Sequence, residues 1–254
     1  MNSGVRLRSA AVGFVGLVSV PIIWFLADLL FDSPGLPSVV EVAQSLVKLI
    51  AGVPFWLALG YTLLSTLLGL VLGILVTTAV AFTFGVTRAG DLLIRQPLYF
   101  VRALPSIAIL PLLLASIGSS MLVGVLFVTL MVLLKSAVFI FRGARDSFQR
   151  AREQISVLGI GFLDQVRFVV APSALRTSAM GARLGGSTAY GASIFAGIFA
   201  GLPGLGHQII VAQVTANQSR AFALVVIAGL VGVGLFKLID QIESRFSHSN
   251  VSAQ

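Results

Sequence analysis

The sequence predicts an all-α polytopic membrane protein of six transmembrane helices. Three observations carry that expectation. First, 57% of the 254 residues are hydrophobic and 10% are charged, against about 45–50% and about 25% in an ordinary soluble domain. Seventeen Lys and Arg with nine Asp and Glu are too few to solvate a soluble surface of this size. Second, the apolar residues fall in long continuous runs, not in the alternating segments of about ten residues that make β-barrel strands. Third, the cations are segregated. A net charge of +8 could suggest nucleic acid in a soluble protein. Here most of it falls in alternate loops, as in a protein with one basic membrane face.

The first run, Ala10–Phe31, follows Arg6 and Arg8. It is longer than the h-region of about 7–15 residues in a cleaved signal peptide, and Asp28 to Phe31 is no small-residue cleavage site. It reads as a retained first span. Leu36-Pro37-Ser38 then opens a helical pattern in which Val39, Val42, Ala43, Leu46 and Ile50 share one side, with Glu41, Gln44, Ser45 and Lys48 on the other. With Ser38 as N-cap, this predicts a short amphipathic helix on the outer interface. The second span is Trp56–Phe84, where Ser65, Gly69, Gly73 and Thr77 recur every four residues. The third is Leu92–Ile117. Arg102 stands about 15 Å into it by helix rise, and Pro105 and Pro111 each remove a backbone donor and should kink or break the helix. A turn at Gly118-Ser119-Ser120 leads to the fourth span, Met121–Phe141. The fifth, Ser173–Ala200, carries Gly181, Gly185, Ala189, Ser193 and Gly197 at four-residue intervals. A Gly-rich outer loop, Gly201–Ser219, precedes the sixth span, Ala221–Leu238. Each run can cross, or nearly cross, a core of about 30 Å at about 1.5 Å per residue.

With the N-terminus inside, Arg6, Arg8, Arg88, Arg95, Lys237, Arg245 and the seven arginines between Arg142 and Arg183 all lie on one side, and the outer segments keep only Lys48 and Arg220. Both termini are therefore predicted to be cytoplasmic. The inner loop, residues 142–171, is long and charged. Apolar spacing at Ile155, Leu158, Phe162, Leu163 and Val166 predicts two short helices, with Gly159 and Gly161 offering the turn between them.

In that loop, Glu153-Gln154-Ile155-Ser156-Val157-Leu158-Gly159 is followed thirteen residues after the glycine by Pro172. This resembles the EAA loop of binding-protein-dependent ABC importer permeases, in which Glu-Ala-Ala precedes a Gly and a Pro opens the next span. Glu153, Gly159 and Pro172 fit; Gln154 and Ile155 replace the two alanines. Leu36-Pro37-Ser38, Val101-Arg102-Ala103-Leu104-Pro105-Ser106, Leu110-Pro111-Leu112-Leu113 and Gly204-Leu205-Gly206-His207-Gln208-Ile209 are similar to stretches of the alkanesulfonate, taurine and nitrate permease branch. The resemblance spans about Leu36 to Phe246.

The resemblance implies a type I ABC importer permease in a bacterial inner membrane. Its partners would be a second permease copy, two cytoplasmic ATPase subunits and an extracytoplasmic solute-binding protein, with no nucleic acid. ATP and Mg would be bound by the partner ATPase, and no cofactor by this chain. Arg152, Glu153, Leu158, Gly159, Phe162 and Pro172 would form the coupling loop that grips the ATPase. The substrate would be a sulfonate, nitrate or aromatic carboxylate anion, or alternatively a pyrimidine thiamine precursor. Arg102, Pro105, Ser106, Tyr190 and Ser193 are candidates for the translocation pathway. Gly69, Gly73, Gly181, Gly185 and Gly197 are candidates for close helix packing, since small residues let helix backbones approach.

Absent motifs bound the rest. There is no Gly-x-x-x-x-Gly-Lys-Ser/Thr run for ATP, and no Gly-x-Ser-x-Gly or His-Glu-x-x-His. With no Cys and only His207 and His248, a metal site is not expected. The expectation is a transporter subunit, not an enzyme. The rival reading is a stand-alone secondary transporter or channel, which has no need of the Glu153, Gly159 and Pro172 loop.

Overall fold

The computed structural model describes residues 19, 21–30, 35–84, 88–103, 105–158 and 171–248. Among the described residues there is no β-strand. The helices are α1 (Pro21–Leu30), α2 (Val39–Ala51), α3 (Val53–Phe84), α4 (Arg88–Ala103), α5 (Ser106–Ile117), α6 (Met121–Leu158), α7 (Ala171–Ala200), α8 (Leu205–Val214) and α9 (Gln218–His248).

Local chemistry sets the helix ends. Ser38 caps α2 by accepting from the Glu41 N–H, while the Glu41 carboxylate accepts from the Ser38 N–H. This reciprocal capping box satisfies two otherwise orphan donors. The Trp24 indole donates to the Pro37 carbonyl at 3.2 Å, which ties α1 to the start of α2. At the other end of α2 the Trp56 indole donates to the Ile50 carbonyl at 2.8 Å and fixes the corner into α3.

α6 is the axis of the bundle. Val123, Phe127, Val128, Val132, Ala137, Ile140 and Ala144 are buried along it, and α3 and α7 make its most extensive contacts. α5 leans on α6 and α7, and α9 on α7 and α8. A second apolar cluster gathers α2, α8 and α9 at one end, around Val42, Leu49, Phe55, Leu205, Ile209, Leu224 and Ile227.

The burial pattern is that of a membrane protein. From Leu64 to Val76, the exposed positions of α3 are Leu64, Leu67, Leu68, Val71, Leu72, Leu75 and Val76, while its buried positions are Ser65, Thr66, Gly69, Leu70, Gly73 and Ile74. Every outward side chain in this stretch is Leu or Val, and all of its glycines and hydroxyls turn inward, with Leu70 and Ile74 among them. Water would reverse that arrangement; lipid favours it, because helices then associate by close backbone approach and interhelical hydrogen bonds. Four stretches among the described residues are long and apolar enough to cross a membrane: Val53–Phe84, Met121–Asp146, Gly181–Val214 and Gln218–Gln241.

The break expected in the third apolar run is present at Pro105, and the structure departs from the sequence-based expectation in two other places, after Phe141 and after Ala200. The third apolar run is two helices, α4 and α5, separated at Pro105. Pro105 stands between the two helices and has no N–H with which to continue the helical ladder. Pro111, by contrast, lies inside α5 without ending it. The charged loop after the fourth run begins as an unbroken continuation of α6, helical to Leu158, not as a separate short helix. The outer loop 201–219 contains a ten-residue helix, α8, with Leu205, Gly206, Ile209 and Ala212 buried.

Candidate translocation face and its supports

α7 has two unlike faces. Gly181, Gly185, Gly186, Ala189, Tyr190, Ala192, Ser193, Ala196 and Gly197 are buried. Leu184, Ser187, Gly191 and Phe199 are exposed and Thr188 is half-buried. A methyl group placed on Gly191 would meet nothing within 4 Å. The Ser187 and Thr188 hydroxyls donate only to the Leu184 carbonyl of their own helix, each at 3.4 Å. α7 therefore carries an open, hydroxyl-bearing outward face that the stretch Leu64–Val76 of α3 lacks.

The structure places Tyr190 and Ser193, the pathway candidates on this helix, on its inner face. The Tyr190 hydroxyl donates to the Ala228 carbonyl of α9 at 2.6 Å. The Ser193 hydroxyl lies 2.6 Å from that of Ser65 and 3.2 Å from the Thr62 carbonyl. Both side chains tie helices together within one chain. The hydroxyl positions that face outward, Ser187 and Thr188, were missed by sequence reasoning. Helical spacing could have separated the two sets, because 187, 188 and 191 fall on the side of the helix opposite 189, 193 and 196.

Thr62 is the centre of a buried polar knot. Its side-chain oxygen accepts from the Leu205 N–H at 2.8 Å. Gly204, the N-cap of α8, has no side chain with which to cap it. A threonine from α3 thus supplies the cap, satisfying a donor that lipid could not. Gly204 has φ +148°, and a methyl group there would come within 2.6 Å of the Thr62 hydroxyl oxygen. Glycine is needed for both the backbone conformation and the approach.

The packing glycines sit at the tightest crossings. A methyl group on Gly69 would collide with Val128, and one on Gly73 would lie 2.7 Å from Val132. On α7, Gly181 meets Ile140 at 2.6 Å and Gly185 meets Val132 at 3.0 Å by the same construction. Gly197 and Gly206 face each other, backbone to backbone: a methyl on Gly197 would lie 2.9 Å from Gly206 Cα, and one on Gly206 would collide with the Ile194 carbonyl. Side chains can shift out of the way; backbone cannot.

α8 ends in a tight corner. The Asn217 N–H donates to the Ala212 carbonyl at 2.9 Å and the Ala216 N–H to the Gln213 carbonyl at 3.0 Å. This pair of bonds is a Schellman ending, which places Ala216 in the left-handed region usually held by glycine, with φ +54°. Asn217 then caps α9 by accepting from the Arg220 N–H at 3.1 Å. Beside this corner, Glu41, Gln44, Lys48, Asn217, Ser219 and Arg220 line a polar groove of about 480 Å³.

The other sequence candidates are placed as follows. Arg102 is in the last turn of α4 and Ser106 at the start of α5, flanking the exposed Pro105; the side chains of Arg102 and Ser106 lie outside the described ones. Arg152, Glu153 and Leu158 belong to the last turns of α6, and Pro172 to the first turn of α7, where a missing N–H costs nothing. Gly159 and Phe162 lie outside the described residues. Arg183 pairs through Nε with Asp240 of α9 at 3.0 Å, with both side chains more than half exposed. Among the described residues, no group of three His, Cys, Asp or Glu could hold a metal ion.

Outward-facing apolar helices and a small-residue core define a multi-pass membrane protein. Residues 69–248 match the family described as binding-protein-dependent transport system inner membrane component, and the chain belongs to that family. A Brucella melitensis protein named as an ABC transporter permease is 25% identical over 244 residues, covering 96% of each chain. A Bacillus subtilis protein named as an aliphatic sulfonates transport permease, SsuC, is 27% identical over 175 residues, covering 69% of this chain and 60% of that one. Among solved structures, the MetNI methionine ABC transporter in an inward-facing conformation is similar at TM-score 0.60 and 20% identity, covering 75% of this chain and 93% of that one. An amino acid ABC transporter is similar at TM-score 0.62 and 18% identity, covering 81% and 96%. The fold is that of a type I ABC importer permease, and the chain is a permease subunit of an ABC importer in the inner membrane.

Proposed function

We propose that two copies of this chain form a homodimeric pathway for a small organic or inorganic anion, delivered by a solute-binding protein and driven by two cytoplasmic ATPase subunits that bind the ATP and Mg. The observation that carries this reading is the outward face of α7. Ser187, Thr188 and Gly191 would be poor lipid contacts beside the Leu and Val face of α3, and they suit a surface that meets water, solute or a second copy. The basic end of the bundle, where α6 carries Arg142, Arg145, Arg150 and Arg152, is the cytoplasmic end by the distribution of cations. Both termini are then cytoplasmic. The coupling element is the end of α6 with the segment that follows it: Arg152, Glu153, Leu158, Gly159, Phe162 and Pro172. Arg102, at the break before Pro105, would attract an anion where α4 ends.

The substrate class rests on the likeness to the aliphatic sulfonates permease of Bacillus subtilis: a sulfonate first, then nitrate or an aromatic carboxylate, with a pyrimidine thiamine precursor as the uncharged alternative. The test is uptake into proteoliposomes holding the permease, its ATPase and its binding protein. Labelled alkanesulfonate should enter only with ATP and binding protein, and Arg102→Ala should reduce anion uptake while leaving the complex assembled. Uptake driven by an ion gradient without ATP would overturn the importer reading. Unchanged uptake in Arg102→Ala would remove Arg102 from the pathway.

A further inference from the structure

We propose that the polar groove between α2 and the start of α9 is the seat for an acidic side chain of the extracytoplasmic solute-binding protein. This rests on the importer reading and assigns its docking contact to named residues.

The sequence leaves two cations in its outer segments, Lys48 and Arg220. They are far apart in the chain, yet both line this one groove of about 480 Å³. Neither is neutralised. The exposed Lys48 ammonium has no partner among the described residues. Arg220 donates through Nη2 to the Gln208 side-chain oxygen at 3.1 Å. That amide is neutral, so it holds the guanidinium in place and leaves its charge. The one carboxylate in the lining is Glu41, and its Oε2 already accepts from the Ser38 N–H and the Ser219 hydroxyl. Every lining side chain is described, and together they carry one net positive charge.

The Lys48 wall is rigid. α2 is fixed at its start by the capping box and the Trp24 bond to Pro37, and at its end by the Trp56 bond to Ile50. A preordered wall lowers the cost of docking. The groove also turns away from lipid. Val40, Val47 and Ile50 are exposed apolar side chains of α2. Glu41, Ser45 and Lys48, at steps of four and three residues, share a different side of the helix and open into the groove.

One net charge at a wet surface holds a free anion weakly. A carboxylate on a docked protein needs little affinity of its own, because the surrounding contacts raise its effective concentration. The family is described as binding-protein-dependent. A protein that delivers solute must dock and leave again, which favours a polar, charge-guided contact over an apolar one.

The test uses the complete transporter in phosphatidylcholine nanodiscs with the solute-binding protein encoded beside it. Wild-type affinity for the binding protein should fall as salt rises. Carbodiimide, which joins an amine to a carboxylate in contact with it, should link Lys48 to an Asp or Glu of the binding protein, located by mass spectrometry. Lys48→Gln should weaken binding about threefold, and Lys48→Gln with Arg220→Gln about tenfold. The single variant keeps the test decisive if the double variant does not fold, because the Lys48 ammonium bonds nothing in the chain. Gln213→Glu makes the same change in charge at an exposed position outside the groove, and should alter affinity less than about twofold. Salt-independent binding, no cross-link at Lys48, or an equal loss in Gln213→Glu would overturn the proposal and leave the importer reading intact. A wild-type complex that binds no binding protein would overturn both. A Lys48→Gln effect seen only when phosphatidylglycerol replaces phosphatidylcholine would overturn it in favour of a lipid headgroup.

Discussion

α3 and α7 press the same kind of surface into α6 and show different ones to the outside. Both bury glycines against valines and isoleucines of α6: Gly69 and Gly73 on one, Gly181 and Gly185 on the other. Outward, α3 presents Leu and Val from Leu64 to Val76, while α7 presents Ser187, Thr188 and Gly191. The inner face of a membrane helix is thus set by how closely backbones must approach, and the outer face by what lies beyond it. The buried stripes make the bundle, and the exposed ones distinguish lipid from pathway.

The largest effect should come from the inner face of α7. Gly197→Val, or Gly206→Val on α8 across the same crossing, drives a side chain into backbone and should cost more than about 3 kcal/mol. Folded protein recovered from membranes should fall to background. Gly191→Ala, less than two turns away on the open face, should leave thermal stability unchanged or raise it by up to about 1 kcal/mol, since alanine is the better helix former. If both glycines respond alike, the two-faced description of α7 is wrong.

Next comes the outer face. Ser187→Leu with Gly191→Leu should preserve folded yield and lower ATP-dependent uptake by about tenfold or more, because the leucines would enter a surface where other groups must pass or pack closely. Leu68→Ser on α3, placed in lipid, should leave uptake per folded molecule unchanged. Equal loss of uptake in both would erase the contrast between the two faces.

Thr62 links the two helices. Thr62→Val keeps the shape but removes the acceptor for the Leu205 N–H, and should destabilise the chain by about 1 kcal/mol. Thr62→Ser should restore most of it. A melting temperature that does not separate valine from serine would mean that shape, not the hydrogen bond, holds α8. The smallest effect is a gain: Ala216→Gly, which relieves a left-handed residue at the end of α8, should stabilise by about 0.5–1 kcal/mol, read as a rise in the same melting transition.

Much of this was legible in the sequence, for identifiable reasons. The capping box at Ser38 and Glu41 is local chemistry, complete within four residues. The break at Pro105 follows from a missing donor. The membrane class follows from composition. What escaped the sequence depends on faces and partners. Hydropathy alone does not orient a lipid-exposed helix, so the sequence does not reveal that the Tyr190 and Ser193 hydroxyls turn inward to Ala228, Ser65 and the Thr62 carbonyl. α8 reads as a glycine-rich loop because its cap sits on α3, 143 residues away in sequence. The charged stretch after Phe141 reads as a loop because polarity there marks exit from the membrane, which a helix can survive.

That last feature has a mechanical consequence. α6 runs unbroken for 38 residues, about 57 Å at about 1.5 Å per residue. Among its described side chains Ile140, wedged against Gly181, and Ala144 are buried. Leu158 stands about 21 Å beyond Ala144 by helix rise, so a tilt of about 10° about Ala144 would sweep Leu158 through about 4 Å. A stiff rod gripped by glycines at one end converts small adjustments in packing into strokes of useful length at the other.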